Sequence, residues 1–435
     1  MAGRFIVATL GCPKNQVDSD KLAGSLLTEG FEPADCVEDA DLIVVNTCAF
    51  IEAARTESIE AILALSRARR AGARLVVTGC LAARAGRALA AALPEVDAVV
   101  DIGVPVQLTG ARWRSRGHRQ IALDFLDRPR PPARAPWAYV KVAEGCDRRC
   151  GFCAIPQFRG PQRSRRAEAI LTEVDALGVS EVVLVAQDLA SYGRDRGESG
   201  ALRELVAALA ARVYRVRLLY LYPRSLDDPL IETIVATGVP YFDLSLQHVS
   251  PPLLRRMRRS GGYEEFLGRI DKIRARAPEA ALRSSFILGY PGETEEDQDA
   301  LLDFLTAADL DWAGFFSFSE EEGTYAATLG DKIPPALALE RLRECAEVQD
   351  DITARRRRAL VGAEMEVLVD AGRVARSHRE APEIDGVIHL DRECEVGAVR
   401  RVRIDAALGP DLEASLLDED SARPARPRLS VGARR

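Results

Sequence analysis

Three cysteines stand within eight residues, Cys146-x3-Cys150-x2-Cys153, in the run Glu144-Gly-Cys-Asp-Arg-Arg-Cys-Gly-Phe-Cys-Ala-Ile-Pro156. They follow directly on an apolar, strand-like stretch at 139–143. Nine cysteines in 435 residues are too few for a disulfide scaffold, and grouped cysteines in a reducing compartment are more often ligands or catalysts than bridges. Three thiolates on one loop can ligate three irons of a cubane [4Fe–4S] cluster, where common ferredoxin-type clusters use four. The open fourth iron points to chemistry. Structural zinc wants four protein ligands, and no histidine or fourth cysteine lies nearby in sequence.

The loop belongs to a chain that reads as α/β throughout. Residues 3–118 alternate strand-like runs (5–10, 41–46, 74–78, 97–101) with helical stretches (19–29, 51–70, 82–93), an order that predicts an open parallel sheet covered by helices. Residues 119–136 form a Pro-rich linker. Six strand-like runs (139–143, 181–186, 216–221, 241–247, 283–289, 312–319) with helices between them fill 137–360 and predict a partial (β/α)6 TIM-like barrel, short of the usual eight units. Short strands at 364–370, 386–390, 399–404 and 412–416 predict a small β-barrel over 361–420. The Pro- and Arg-rich stretch 421–435 reads as a disordered basic tail.

A second constellation lies in the N-terminal region. Cys12, Cys48 and Cys80 each sit one or two residues past the carboxyl end of an expected parallel strand, where an open α/β sheet binds ligands. Residues far apart in sequence would meet at that edge, as a second three-cysteine site. Buried cysteine as a small hydrophobe is the bland alternative, and it is the reading for Cys36, Cys345 and Cys394. At the barrel strand ends, Gln187, Gln247 and Gly289 are candidate contacts to cofactor or substrate. His248 would face the same rim, and the Gly289–Thr294 segment equally reads as a plain βα turn with a near capping box.

The Cys146–Cys153 spacing after a barrel strand resembles the radical S-adenosylmethionine superfamily. That resemblance implies that the open iron chelates S-adenosyl-L-methionine, whose reductive cleavage gives a 5′-deoxyadenosyl radical. Two three-cysteine sites followed by a small β-barrel resemble the methylthiotransferase family over residues 3–420. The resemblance implies two [4Fe–4S] clusters, one at Cys12, Cys48 and Cys80 that handles the sulfur, and one at Cys146, Cys150 and Cys153 that generates the radical. It also implies a substrate-binding TRAM domain at 361–420. Gly11-Cys-Pro-Lys-Asn-Gln-Val-Asp-Ser19, Gln187-Asp188, Gln247-His248 and Ala381-Pro-Glu-Ile-Asp-Gly386 resemble the RimO-like branch, which methylthiolates the β-carbon of an aspartate in small-subunit ribosomal protein twelve. The alternative is the MiaB-like branch, which modifies a tRNA adenosine.

Charge favours the protein substrate. The chain carries a net −7, and residues 361–420 hold seven arginines and no lysine against fifteen acidic residues. A module with a net charge of −8 is ill suited to phosphates and suited to a basic ribosomal protein, with Glu380, Glu383 and Asp385 as the carboxylates expected to meet it. No sequence-specific contact to nucleic acid is expected. Further expected partners are an electron donor such as flavodoxin or ferredoxin and a sulfur donor. With no apolar run near the ~20 residues of a membrane span and no signal peptide at the start, the expected location is the cytoplasm.

Overall fold

The computed structural model describes residues 3–104, 106, 113–114, 123–417 and 423–424. In the N-terminal region β1 (Arg4–Thr9), β2 (Glu32–Pro33), β3 (Leu42–Thr47), β4 (Arg74–Gly79), β5 (Ala98–Val100) and β6 (Trp113–Arg114) form one parallel sheet in the order β2-β1-β3-β4-β5-β6. Its central strands are Val-rich and buried on both faces, as a parallel sheet requires. Helices α1 (Pro13–Thr28), α2 (Glu52–Ala68) and α3 (Cys80–Ala92) cover it.

A short helix, α4 (Leu123–Leu126), leads into the Pro-rich stretch. That stretch is a strap. Lys21 donates to the Arg128 carbonyl at 2.7 Å, and a Cβ on Gly24 would lie 2.1 Å from the Pro129 carbonyl oxygen, so only glycine lets the strap touch α1.

The barrel strands are β7 (Trp137–Lys141), β10 (Glu181–Val185), β11 (Arg215–Leu218), β12 (Tyr241–Gln247), β13 (Ala281–Leu288) and β14 (Trp312–Ser317), all parallel. They form two three-stranded sheets joined by a single bridge, Leu221 to Leu244. The antiparallel pair β8 (Ala143–Glu144) and β9 (Arg163–Ser164) clamps the two ends of the cysteine loop, which contains α5 (Ile155–Arg159). The outer layer is α6 (Ala167–Leu177), α7 (Ala201–Ala210), α8 (Asp228–Ala236), α9 (Pro251–Arg256), α10 (Tyr263–Arg276), α11 (Glu295–Ala308) and α12 (Pro335–Arg358). Fully buried Phe286 stacks on Phe315 and meets Phe304 edge-on in the core between strands and helices.

In the C-terminal module β15 (Glu364–Ala371), β16 (Val374–Arg376), β17 (Ile388–Leu390), β18 (Ala398–Leu408) and β19 (Asp411–Leu416) close into a five-stranded barrel through the β15–β18 pairing, and β20 (Arg423–Pro424) adds to β18. The rest of the 421–435 tail lies outside the described residues. The loop between β16 and β17 plugs the amino end of the large barrel. Tyr139 donates to the Pro382 carbonyl at 3.0 Å, Trp312 to the Arg379 carbonyl at 2.9 Å, and Tyr241 to Asp385 at 2.6 Å.

This corrects the expectation for the three carboxylates. Glu380 is fully buried against Arg357 and Ser377, and the Asp385 side chain is 1% exposed beside Arg283. Only Glu383 faces water. They anchor the plug, and no substrate reaches the first two. Among the described residues no helix is long and apolar enough to cross a membrane.

Candidate active site

The first cysteine group is assembled by the sheet. Cys12 follows β1 as the N-cap residue of α1, with Pro13 opening the helix; Cys48 follows β3; Cys80 opens α3 directly after β4. Because β1, β3 and β4 are neighbours, all three sulfurs arrive at one edge. Two glycines at positive φ make room. A Cβ on Gly11 (φ +93°) would stand 2.9 Å from Cys48 Sγ, and one on Gly79 (φ +95°) would stand 2.4 Å from the Thr47 amide nitrogen.

The second group sits on the loop after β7. Gly145 (φ +79°) turns the chain where a Cβ would meet the Pro161 carbonyl at 2.1 Å. The Cys146 amide donates to Gly160 at 3.0 Å and that of Gly151 to Met257 at 2.8 Å, so the loop is held at both ends and in the middle. Two arginines attend it: the Arg148 backbone N–H donates to Cys146 Sγ at 3.4 Å, and the Arg259 guanidinium donates to Cys150 Sγ at 3.5 Å. Both guanidiniums lie over the Tyr222 ring, at 4.0 and 4.4 Å, and Arg148 pairs with Asp188 at 2.6 Å.

All six cysteines line a single cavity of about 470 Å³ between the sheet and the open end of the barrel, within the roughly 300–1,000 Å³ of small-molecule sites. Gln187 and Gln247 line it too. Gln247 is turned inward by a bulge in β12 and has φ +74°. The Gln187 amide nitrogen donates to Glu144 at 3.0 Å, while its buried carbonyl oxygen has no partner among the described residues and is available to a ligand.

Gly289 is not among the lining residues. Its φ is +76°, and a Cβ there would stand 2.5 Å from that of Ala338, which explains the glycine. The capping box at Thr294 and Asp297 confirms the βα turn. His248 is also absent from the cavity wall. It is fully buried, its Nδ1 accepts from the Ser250 amide at 3.1 Å, and burial lowers its pKa to about 4. Cys345 is buried against Gln298, and Cys36 is exposed and is not among the residues lining the cavity.

Between the two cysteine groups lies a buried ion quartet. Asp18 on α1 accepts from Lys141 at 2.8 Å and from Arg159 at 2.8 Å; Glu144 accepts from the same two cations. Arg159 also donates to Cys80 Sγ at 3.0 Å and to Asn15 at 2.8 Å. A second latch joins the two regions at Glu321, which binds both Arg55 and Arg84. Sequence reasoning missed both. Their only signal is charged residues inside helical, strand or loop segments, and for charged side chains solvent exposure is the default.

Four of the six thiols are held toward the protonated form by burial. Burial pushes Cys48 up to about 11 and both Cys146 and Cys153 up to about 12, and it raises Cys80 as well. Burial opposes ionisation of Cys12 too, but Lys14, Arg159 and neighbouring backbone amides hold it below its ordinary value. Only a bound cation can keep several such thiolates ionised in one cavity. Among the described residues no three His, Cys, Asp or Glu side chains converge tightly enough for a single metal ion. A cubane makes no such demand, because each thiolate ligates a different iron. Each group offers three thiolates, the donor set of a cubane with one open iron, where structural zinc asks for four ligands.

Residues 4–101 match the uncharacterized protein family UPF0004, 140–305 the radical SAM superfamily, and 361–417 the TRAM domain. The ribosomal protein uS12 methylthiotransferase RimO of Desulforudis audaxviator is 43% identical over 443 residues, covering 96% of this chain and 97% of its own. That of Moorella thermoacetica is 42% identical, covering 89% and 93%, and that of Kineococcus radiotolerans 38%, covering 94% and 96%. Among solved structures, the radical S-adenosylmethionine methyltransferase TsrM from Kitasatospora setae shares the fold with a TM-score of 0.50 at 16% identity, over 75% of this chain and 77% of that one.

Proposed function

The chain belongs to the ribosomal protein uS12 methylthiotransferase RimO family, and from that membership we propose that it inserts a methylthio group at the β-carbon of an aspartate in uS12. It is a radical S-adenosylmethionine enzyme and a transferase, of a family that uses S-adenosyl-L-methionine and [4Fe–4S] clusters. The observation that carries the reading is the shared cavity: two groups of three cysteines, one from each region, face the same space. Cys146, Cys150 and Cys153 would hold one cluster and Cys12, Cys48 and Cys80 the other. Bound there, the clusters and S-adenosyl-L-methionine supply radical generation on the barrel side and sulfur delivery on the sheet side.

The chain's own residues prepare that space. Arg148 and Arg259 bring positive charge to the barrel cysteines, the Gln187 carbonyl oxygen and the Gln247 amide offer polar contacts to S-adenosyl-L-methionine or substrate, and the quartet fixes the two cysteine groups relative to each other. Phe50 and Phe316 line the cavity and are 43% and 49% exposed, giving an apolar mouth through which a protein loop can enter. The target C–H is unactivated, which is why the reaction calls for a radical. An acidic C-terminal module suits a basic ribosomal protein, by charge complementarity that mainly speeds encounter. A one-electron donor such as flavodoxin or ferredoxin and a sulfur donor complete the cycle, in the cytoplasm. The tRNA-adenosine alternative is not favoured, since the relatives matched over nearly their whole length are uS12 enzymes by name.

Mass spectrometry of ribosomal proteins and tRNA from cells lacking this chain tests the reading. The methylthio mass should vanish from uS12 and return with the unaltered chain; its persistence on uS12 with loss from tRNA would overturn it.

A further inference from the structure

A reaction at the β-carbon of aspartate brings a carboxylate to within two bonds of the reacting atom, and the cavity must receive that charge. Its lining includes three carboxylates of its own, and each is already paired: Asp188 with Arg148, Asp243 with Arg283, and Glu321 with Arg55 and Arg84. Four cations line it. Arg148 is held by Asp188, Arg159 by Asp18 and Glu144, and Arg259 by the Ser245 carbonyl and Cys150 Sγ. The fourth is Lys14. Among the described residues no carboxylate or carbonyl bonds its ammonium, which lies over the face of Tyr220, 3.4 Å from Nζ to the ring centroid, within electrostatic reach of Cys12.

The perch is built. Tyr220 adopts φ +63°, a left-handed conformation that a bulky residue rarely takes, and its amide is pinned by Asp243 at 2.9 Å. The ring is thereby presented to Lys14 across the interface between the two regions. An aromatic face positions a cation without neutralising it, so the ammonium keeps its full appetite for an anion. Lys14 stands two residues from Cys12, inside the cavity where sulfur is to be delivered.

We propose that Lys14 is the specificity-determining residue that binds the carboxylate of the aspartate being modified. The inference rests on the reading of an aspartate substrate given above and deepens it. Arginine at the site would bring a planar fork already suited to a carboxylate, so Lys14→Arg should keep much of the preference, whereas Lys14→Met keeps the stem and removes the charge.

The test is a cycle of binding measurements with the anaerobically reconstituted full chain and purified uS12, carrying either its target aspartate or asparagine there. A charge-assisted hydrogen bond in a partly desolvated site corresponds to about 10–100-fold in affinity. The unaltered chain should prefer the aspartate form by that factor, Lys14→Met should bind both forms alike, and Lys14→Arg should restore most of the preference. Iron content and the electron paramagnetic resonance of the reduced clusters should match the unaltered chain in both variants. Undiminished discrimination by Lys14→Met overturns the assignment of Lys14, as does loss of iron from that variant, which would make the lysine a support for Cys12. Failure of the unaltered chain to bind or modify uS12 at all would instead overturn the substrate reading, and the assignment with it.

Discussion

Replacing Asp18 by Asn removes one charge from a quartet that water does not reach. Asp18, Lys141, Glu144 and Arg159 are each at most 4% exposed in their side chains, and their charges balance two against two. The substitution keeps the shape and leaves two buried cations facing one carboxylate. Breaking a buried pair in this way costs about 3–5 kcal/mol, and the amide oxygen of Asn recovers about 1 kcal/mol through a neutral hydrogen bond. A net loss of about 3 kcal/mol is expected, or about 6–12 °C in Tm for a cooperative unit of 150–250 residues. A surface pair would lose no more than about 1 kcal/mol. Calorimetry and urea unfolding of the reconstituted protein measure the difference, and Asp18→Asn with Lys141→Met, which restores balance, should regain most of it. The pH dependence has a fixed sign. Burial opposes ionisation of Asp18, but Lys141 and Arg159 hold its carboxyl below the ordinary 3.8. Its contribution is therefore complete above that value and is lost as pH falls through the lower folded pKa. The gap between unaltered chain and variant should be level from about pH 5 to 8 and close only in acid. A gap under about 1 kcal/mol at neutral pH, the ceiling for a surface pair, or a double variant worse than the single one, would refute the reasoning.

The reconstituted chain should hold about eight irons, and replacing Cys146, Cys150 and Cys153 together by Ala should leave about four; full retention would show that the barrel group is misassigned. The complementary Cys12, Cys48 and Cys80 variant should also keep about four and still cleave S-adenosyl-L-methionine. At the plug, Glu380→Gln strands Arg357 and should loosen the C-terminal module, read as faster limited proteolysis around residues 376–386, with no change in iron content. Burial opposes ionisation of Glu380, yet Arg357 and Ser377 bring it from 4.5 to about 2, so unaltered protein should show that loosening only well below pH 4.5. Equal proteolysis of variant and unaltered chain at neutral pH would show that the plug does not depend on this carboxylate.

The architecture was legible because its signals are local. Valine-rich runs mark β3 and β4, and Cys12, Cys48 and Cys80 follow strands whose adjacency a βα alternation dictates. What escapes the sequence is where polar residues are buried. The apolar pattern predicts a first helix only from residue 19, yet α1 begins at Pro13, because its inner face carries Asn15, Asp18, Ser19 and Lys21. Apolar periodicity cannot mark a helix whose buried stripe is charged. The strand predicted at 216–221 ends at Leu218, where the chain turns toward Tyr220 at positive φ. The carboxylates of 380–385 read as a solvated acidic turn and are a plug, since nothing local reveals that barrel residues such as Tyr139 and Arg217 wait to receive the loop. The hydrophobic pattern reports cores. It is silent about polar interfaces between them.

Those interfaces sit where the chemistry needs rigidity. Neither cysteine group lies on a regular element for its whole length; one hangs from three strand ends and the other from a single loop, and the proposed transfer between them would tolerate little change in their separation. Apolar packing of similar volume would be equally or more stable than a buried quartet, but it is not directional. Bonds of 2.8 Å from Asp18 to Lys141 and Arg159 are. Lys141 ends β7, Glu144 lies two residues before Cys146, and Asp18 stands within two turns of Cys12 on the helix that this cysteine caps. Arg159 reaches from that same loop to Cys80 Sγ. A shift of either cysteine group by about one ångström must stretch at least one bond to a buried charge, whereas leucines would slide. The quartet thus trades stability for register between the two sites, and the loss expected for Asp18→Asn measures how firmly that register is held.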